Sequence, residues 1–125
     1  MKEIIYTNEA PEPVGPYSQA VLAGNTLYCS GQIAIDPATG QLIEGNVTKQ
    51  THLCLKNIKN VLKVSKMGIT NIVKVSCFLK EMSDFAEFNK VYEEYFADNK
   101  PARSCVAVKD LPKGALIEIE VIAVK

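Results

Sequence analysis

The sequence predicts an α+β fold: one mixed β-sheet carrying two helices on a single face. Two segments space their apolar residues at helical intervals, and each is flanked by runs rich in β-branched residues. A Gly24-Asn25 step parts two further apolar runs, and that pair closes a tight hairpin. The terminal stretch "ALIEIEVIAV" alternates with the period of two that a strand imposes.

Taken in order, "KEIIY" reads as a first strand. The following "TNEAPEPVGP" holds three prolines and a glycine, which exclude a helix and predict an ordered loop. "YSQAVLAG" and "TLYCSGQIAI" are the strands of the hairpin, and "DPATG" closes a turn in which Gly40 is free to take positive φ. From Val47 to Lys66 the residues Val47, Thr51, Cys54, Leu55, Ile58, Val61 and Leu62 form one helical face, with Asn46 as N-cap and Gly68 as the stop. "NIVKVSCFL" is a β-branched strand. "SDFAEFNKVYEEYFADN" is a second helix, begun by Ser83 or Asp84, with Phe85, Phe88, Tyr92 and Tyr95 or Phe96 as its buried stripe. After Pro101 comes "RSCVAV", read as a buried strand, then the turn "KDLPKG" and the last strand. Right-handed crossovers make the strands flanking each helix parallel.

The 125 residues are expected to form one domain, residues 1–125, large enough to bury a core without staples. Lys plus Arg and Asp plus Glu are both 14, so no long-range field draws the chain to nucleic acid or an anionic membrane. "MKEIIYTNEA" lacks the apolar core of a secretory signal, and no run is apolar enough to span a bilayer. A cytoplasmic protein is the expectation. The four cysteines, Cys29, Cys54, Cys77 and Cys105, form no C-x-x-C pair, and His52 is the one histidine, so zinc spacing is absent. They read as reduced core thiols.

Two features point to chemistry. Arg103 carries a permanent charge at the mouth of an apolar strand, where an unpaired guanidinium is costly to bury. In the last strand Ala115, Ile117, Ile119, Val121 and Ala123 share the face that suits packing under helices. The opposite face sets Glu118 and Glu120 among Leu116, Ile122 and Val124. A partly apolar face of that kind is covered by another copy of the chain or lines a cleft. Desolvated acids there need a partner, and Arg103 is an available cation.

The block "PARSCVAVKDLPKGALIEIE" resembles the signature of the YjgF/Rid family, also called endoribonuclease L-PSP. "GPYSQA", "SGQIAIDPATG" and "FAEFNKVYEEYF" extend the likeness over the whole chain. The resemblance implies a chorismate-mutase-like two-layer sandwich assembled as a homotrimer, with clefts between subunits. It implies hydrolytic deamination of 2-imino acids, derived from 2-aminoacrylate or 2-aminocrotonate, to 2-keto acids and ammonia, with no metal or cofactor. Carried onto this sequence, Arg103 holds the substrate carboxylate and Glu118 orients or activates water. Tyr17, Ser30, Gly31, Asn89 and Cys105 line or contact the substrate.

Plainer readings stand beside these roles. Arg103 is open to a surface salt bridge, Tyr17 to packing on the prolines, and Gly31 to a bulge. Cys105 lacks a base, because His52 falls on the lysine side of the first helix, where solvent is expected. Lys49, His52, Lys56, Lys59, Lys63 and Lys66 recur at three- and four-residue intervals as a basic stripe with no intervening acid, which raises RNA binding as an alternative. Glu81, Asp84, Glu87, Glu93, Glu94 and Asp98 are placed to balance that stripe if the helices lie side by side, and no stacking aromatics sit among the lysines. A binder of small carboxylates without turnover is a third possibility.

Overall fold

In the computed structural model, which describes residues 1–125, six strands form one mixed sheet and two helices cover one face. The strands are β1 (Lys2–Ile5), β2 (Ala20–Ala23), β3 (Thr26–Cys29), β4 (Ile72–Leu79), β5 (Ala102–Ala107) and β6 (Ile117–Val124); the helices are α1 (Val47–Val64) and α2 (Phe85–Phe96). The sheet order is β1-β2-β3-β6-β4-β5. β4 and β5, which flank α2, are parallel and in contact. β3 and β4, which flank α1, both run antiparallel to β6, so they are parallel to each other with β6 between them.

The predicted hairpin is present: Ala23 pairs with Thr26 across Gly24, which takes φ +62°. α1 forms because its apolar residues recur on one face, and the Asn46 side chain accepts the Lys49 N–H at 3.0 Å. Those residues pack on the buried face of β6, where Ile117, Ile119, Val121 and Ala123 are all at most 2 % exposed. Each large aliphatic so buried contributes about 1.5–3 kcal/mol before conformational costs. Gln50 of α1 accepts the Leu116 N–H at 2.9 Å and so fixes where β6 begins.

Several boundaries differ from expectation. α1 ends at Val64 with Ser65 as its cap, and Lys66 rather than Gly68 takes the left-handed turn, φ 59°. A short 3-10 turn at Met82–Asp84 leads into α2 without a side-chain cap from Ser83 or Asp84. The strand expected to run from Thr26 to Ile35 stops at Cys29 and continues only as single bridges at Gln32 and Ile35. "RSCVAV" is the largest correction. β5 is the outer strand of the sheet, pairs with β4 alone, and is mostly exposed. With one neighbour and no helix over most of it, an apolar sequence does not become a buried strand.

No helix is long and apolar enough to cross a membrane. All four cysteines are free thiols, three of them buried; Cys105, on β5, is only half-buried.

Candidate functional site

The sequence-predicted residues fall into two clusters. The first is built by α2 against β5. Arg103 pairs in register with Val75, and Cys105 with Cys77, which places both on the helix-covered face of the sheet. At this outer edge the guanidinium turns over α2, where its Nη1 donates to Asn89 Oδ1 at 2.7 Å. Its Cζ lies 4.6 Å from the centre of the Tyr92 ring and 5.6 Å from that of Phe85. The one ion pair in the chain joins Lys63 to Glu9, at 3.8 Å, so Arg103 has no carboxylate partner of its own. Asn89, Tyr92, Lys100, Pro101 and Arg103 line a cavity of about 560 Å³.

A guanidinium has five N–H donors in a fixed fork. With Nη1 engaged by Asn89, the Nε and Nη2 edge remains for an incoming carboxylate, the geometry of a bidentate pair. Cys105 lies beside this group, and burial raises its thiol pKa while Arg103 draws it back down. The neighbouring Cys77 is pushed up to about 12 by burial. Neither thiol is poised as a nucleophile.

The second cluster is on the bare face of the sheet. Glu118 and Glu120 alternate with the buried residues of β6 and are half-buried. Paired N–H to O bonds between Gln32 and Ile119, 2.8 and 3.0 Å, lay residues 30–32 alongside this strand. Gly31 consequently sits against the Glu118 carboxylate: a Cβ there would meet Oε2 at 2.6 Å. Ser30 donates its hydroxyl to Ser18 O at 2.6 Å and its amide to Gln19 O, so its visible role is to tie two segments together. Tyr17 is exposed and faces the same cavity of about 590 Å³ as Ser30, Gly31, Glu118 and Glu120. Burial, and then the charge of Glu120, raises the Glu118 pKa above the ordinary carboxylate range. Both effects disfavour its ionised form.

Three contributors were not anticipated. Tyr92 and Phe85 were expected only as core residues, yet their rings hold Arg103; they stand seven apart on α2 with Asn89 between, a spacing that shares one helix face. Gln19 is 2 % exposed and braces the proline-rich loop. It accepts the Thr7 N–H at 2.8 Å and donates to Thr7 O and Pro11 O, both at 2.9 Å. That loop supplies Pro11, Glu12 and Val14 to the wall of the Glu118 cavity. A lone glutamine beside an apolar strand carries no sequence signal for such a role.

His52 lies on the lysine side of α1 as expected, where it lines the surface groove. It is half-buried, with Nδ1 2.9 Å from the Tyr95 hydroxyl, and is no partner for Cys105. The α1 lysines edge the largest surface groove, about 930 Å³, and Tyr95 lines it among them, an aromatic the sequence had not placed there. The acids of α2 form no ion pair with this stripe. No group of three or more His, Cys, Asp or Glu side chains gathers as a metal site.

The fold and these clusters define a two-layer α+β protein with an arginine open to an anion and a desolvated carboxylate on the bare sheet face. A family model described as Endoribonuclease L-PSP matches residues 7–125. A RutC family protein of Pyrococcus horikoshii is 52% identical over 100% of this chain and 99% of its own. The human 2-iminobutanoate/2-iminopropanoate deaminase is 44% identical over 100% of this chain and 91% of its own. Among solved structures, a Rid family protein of Yersinia pestis superposes with TM-score 0.97 at 46% identity, covering 100% of both chains. The TdcF protein of E. coli, solved with bound serine, gives TM-score 0.93 at 40% identity over 98% of each chain. The chain belongs to the endoribonuclease L-PSP family, also known as YjgF/Rid.

Proposed function

We propose that this protein hydrolyses 2-imino acids to 2-keto acids and ammonia, as a cytoplasmic homotrimer whose sites lie between subunits. The observation that carries the reading is Arg103, a guanidinium held by Asn89 and two rings with no carboxylate of its own chain. The human relative's name and the serine bound to TdcF support a small amino- or imino-acid ligand.

Arg103 would grip the substrate carboxylate through two parallel hydrogen bonds, each contributing about 1.5–3 kcal/mol. The protonated imine carbon is electrophilic without further activation. A water held by Glu118 attacks it: a new C–O bond forms, the C=N π pair moves to nitrogen, and the water's proton passes to Glu118. Glu118 returns that proton to the nitrogen of the resulting carbinolamine. The C–N bond then breaks, ammonia departs, and the hydroxyl proton is lost as the ketone forms. General-base assistance of this kind is worth roughly 10²- to 10⁴-fold. A raised pKa suits a carboxylate that must both accept and return a proton near neutral pH.

Within one chain the two clusters occupy opposite faces of the sheet. A complete site therefore needs Arg103, Asn89 and Cys105 from one subunit and Tyr17, Ser30, Gly31 and Glu118 from the next. The exposed Tyr17 and Tyr28 and the alternation of β6 support burial of the bare face in such an assembly. Generating 2-iminobutanoate in situ and following 2-oxobutanoate release tests the activity. Acceleration over the spontaneous rate is expected, and its absence would remove the enzyme reading.

The groove edged by Lys49, Lys56, Lys59 and Lys63, with Tyr95 in it, favours RNA binding as the second reading. Tyr95 is the one tyrosine in that groove, and its hydroxyl lies 2.9 Å from His52 Nδ1. Binding to a single-stranded oligonucleotide should fall steeply with salt if this reading holds.

A further inference from the structure

Arg103 lies at the open edge of the sheet, where a long flexible side chain has many rotamers to choose from. Reading a carboxylate with two bonds requires one of them, so something must hold the guanidinium before the ligand arrives. The holding elements are all on α2. Phe85, Asn89 and Tyr92 fall at i, i+4 and i+7, one face of the helix, and each contacts the same guanidinium.

The Tyr92 ring, at 4.6 Å, is the nearer platform. It is itself immobilised. Phe96 packs against it with ring centres 4.4 Å apart and Phe88 at 5.6 Å, while Tyr92 as a whole is only 8 % exposed. Its hydroxyl is buried and has no hydrogen-bond partner. Burial pushes that hydroxyl's pKa up to about 12, so it stays neutral and no phenolate pairs with Arg103. What Tyr92 offers the arginine is therefore the electron-rich face of its ring.

We infer that Tyr92 is a positioning residue for the substrate-binding arginine: its ring face, fixed between Phe88 and Phe96, sets the guanidinium plane while Asn89 takes one donor and leaves the carboxylate-reading edge free. This rests on the reading of Arg103 as the carboxylate ligand. The hydroxyl is dispensable, because removing an unpaired polar atom costs no bond.

The test is a series at position 92 that keeps the shape and changes only the ring's charge distribution. Tyr92→Phe is followed by 4-fluoro-, 3,5-difluoro- and 3,4,5-trifluorophenylalanine in place of Tyr92. Each assembled protein is titrated with 2-oxobutanoate by calorimetry and assayed for turnover of 2-iminobutanoate. Tyr92→Phe is expected to bind within about twofold of the unsubstituted protein, since the ring face is retained. Affinity should then fall stepwise with fluorine count, by roughly 2- to 30-fold across the series, with KM rising in parallel and kcat moving much less. A flat series would overturn the inference and leave Tyr92 as packing, as would a large loss in Tyr92→Phe. If the unsubstituted protein binds 2-oxobutanoate without turning over the imine, the deaminase reading fails while the positioning role is still decided by the affinities. No binding at all by the unsubstituted protein would sink both.

Discussion

Arg103 and Glu118 lie on opposite faces of the same sheet. Arg103 shares a row with Val75 and Val121, residues buried under the helices; Glu118 shares one with Phe78 and Val106, on the bare side. The rows are separated by about 10 Å along the strands, and two strand spacings, about 10 Å more, part β5 from β6. A substrate of a few carbons cannot touch both groups in one chain. If the two act together, they come from different subunits, and mixing tests this. Assemblies reconstituted from equal parts of Arg103→Met and Glu118→Gln chains, each inactive alone, should regain about a quarter of full activity, because random mixing in a closed ring restores that share of the clefts. No recovery on verified subunit exchange would contradict the shared site.

Arg103→Lys should lower kcat/KM by at least about 10²-fold, because a single ammonium cannot replace the two-pronged contact. The mass of the assembly and the melting temperature should change little, since Arg103 is exposed and forms no ion pair within the chain. Substantial retained activity would show that a different cation reads the carboxylate.

Glu118→Gln should cost about 10²- to 10⁴-fold in turnover and at the same time stabilise the fold at neutral pH. The folded-state pKa of Glu118 is raised, so the native state holds its proton more tightly than the unfolded chain does. Stability therefore declines as pH climbs from the unfolded pKa through the folded one, then levels off. The difference in melting temperature between variant and parent should vanish in acid and open on that rise. The acid limb of kcat/KM should lie above the ordinary carboxylate range. A variant that melts lower at pH 7 would show that this carboxylate is held by favourable contacts instead.

Gly31→Ala is a probe of distance. Gly31 has no left-handed backbone, yet a methyl group would stand 2.6 Å from Glu118 Oε2 and 2.9 Å from its Cδ. The flexible carboxylate would swing aside, so folding should survive while turnover falls by about 10²-fold, as displacement by an ångström commonly does. An unchanged rate would place the working position of Glu118 elsewhere.

Lys56→Glu combined with Lys59→Glu reverses two exposed charges on α1, remote from both clusters. Deamination should remain within about twofold and respond little to salt, since neither lysine contacts Arg103 or Glu118. Loss of oligonucleotide affinity in the same variant, with a steep dependence of log K on log salt, would support the RNA reading of the groove.

The local patterns were legible wherever one chain segment carries its own periodicity. The α1 stripe, the Gly24-Asn25 hairpin and the alternation of β6 follow from spacing alone, because helix and strand fix which residues share a face. Exposure of β5 was not legible. Val106 and Ala107 have the composition of a core strand, and only the sheet order, which gives β5 a single neighbour, leaves them open. The rings beneath Arg103 were visible as a stripe but not as a cradle, since nothing in α2 says which strand end will curl over it.

The sequence by itself determined the two-layer class, the helix faces, and the presence of one arginine and two acids in apolar strands, since periodicity and charge are properties of neighbouring residues. The tertiary structure decided which face each of those charges occupies, and that no acid of the chain meets Arg103. The reason is that strand order and register are set by packing between distant segments. A strand placed between β5 and β6 separates two groups that the linear order leaves fifteen positions apart.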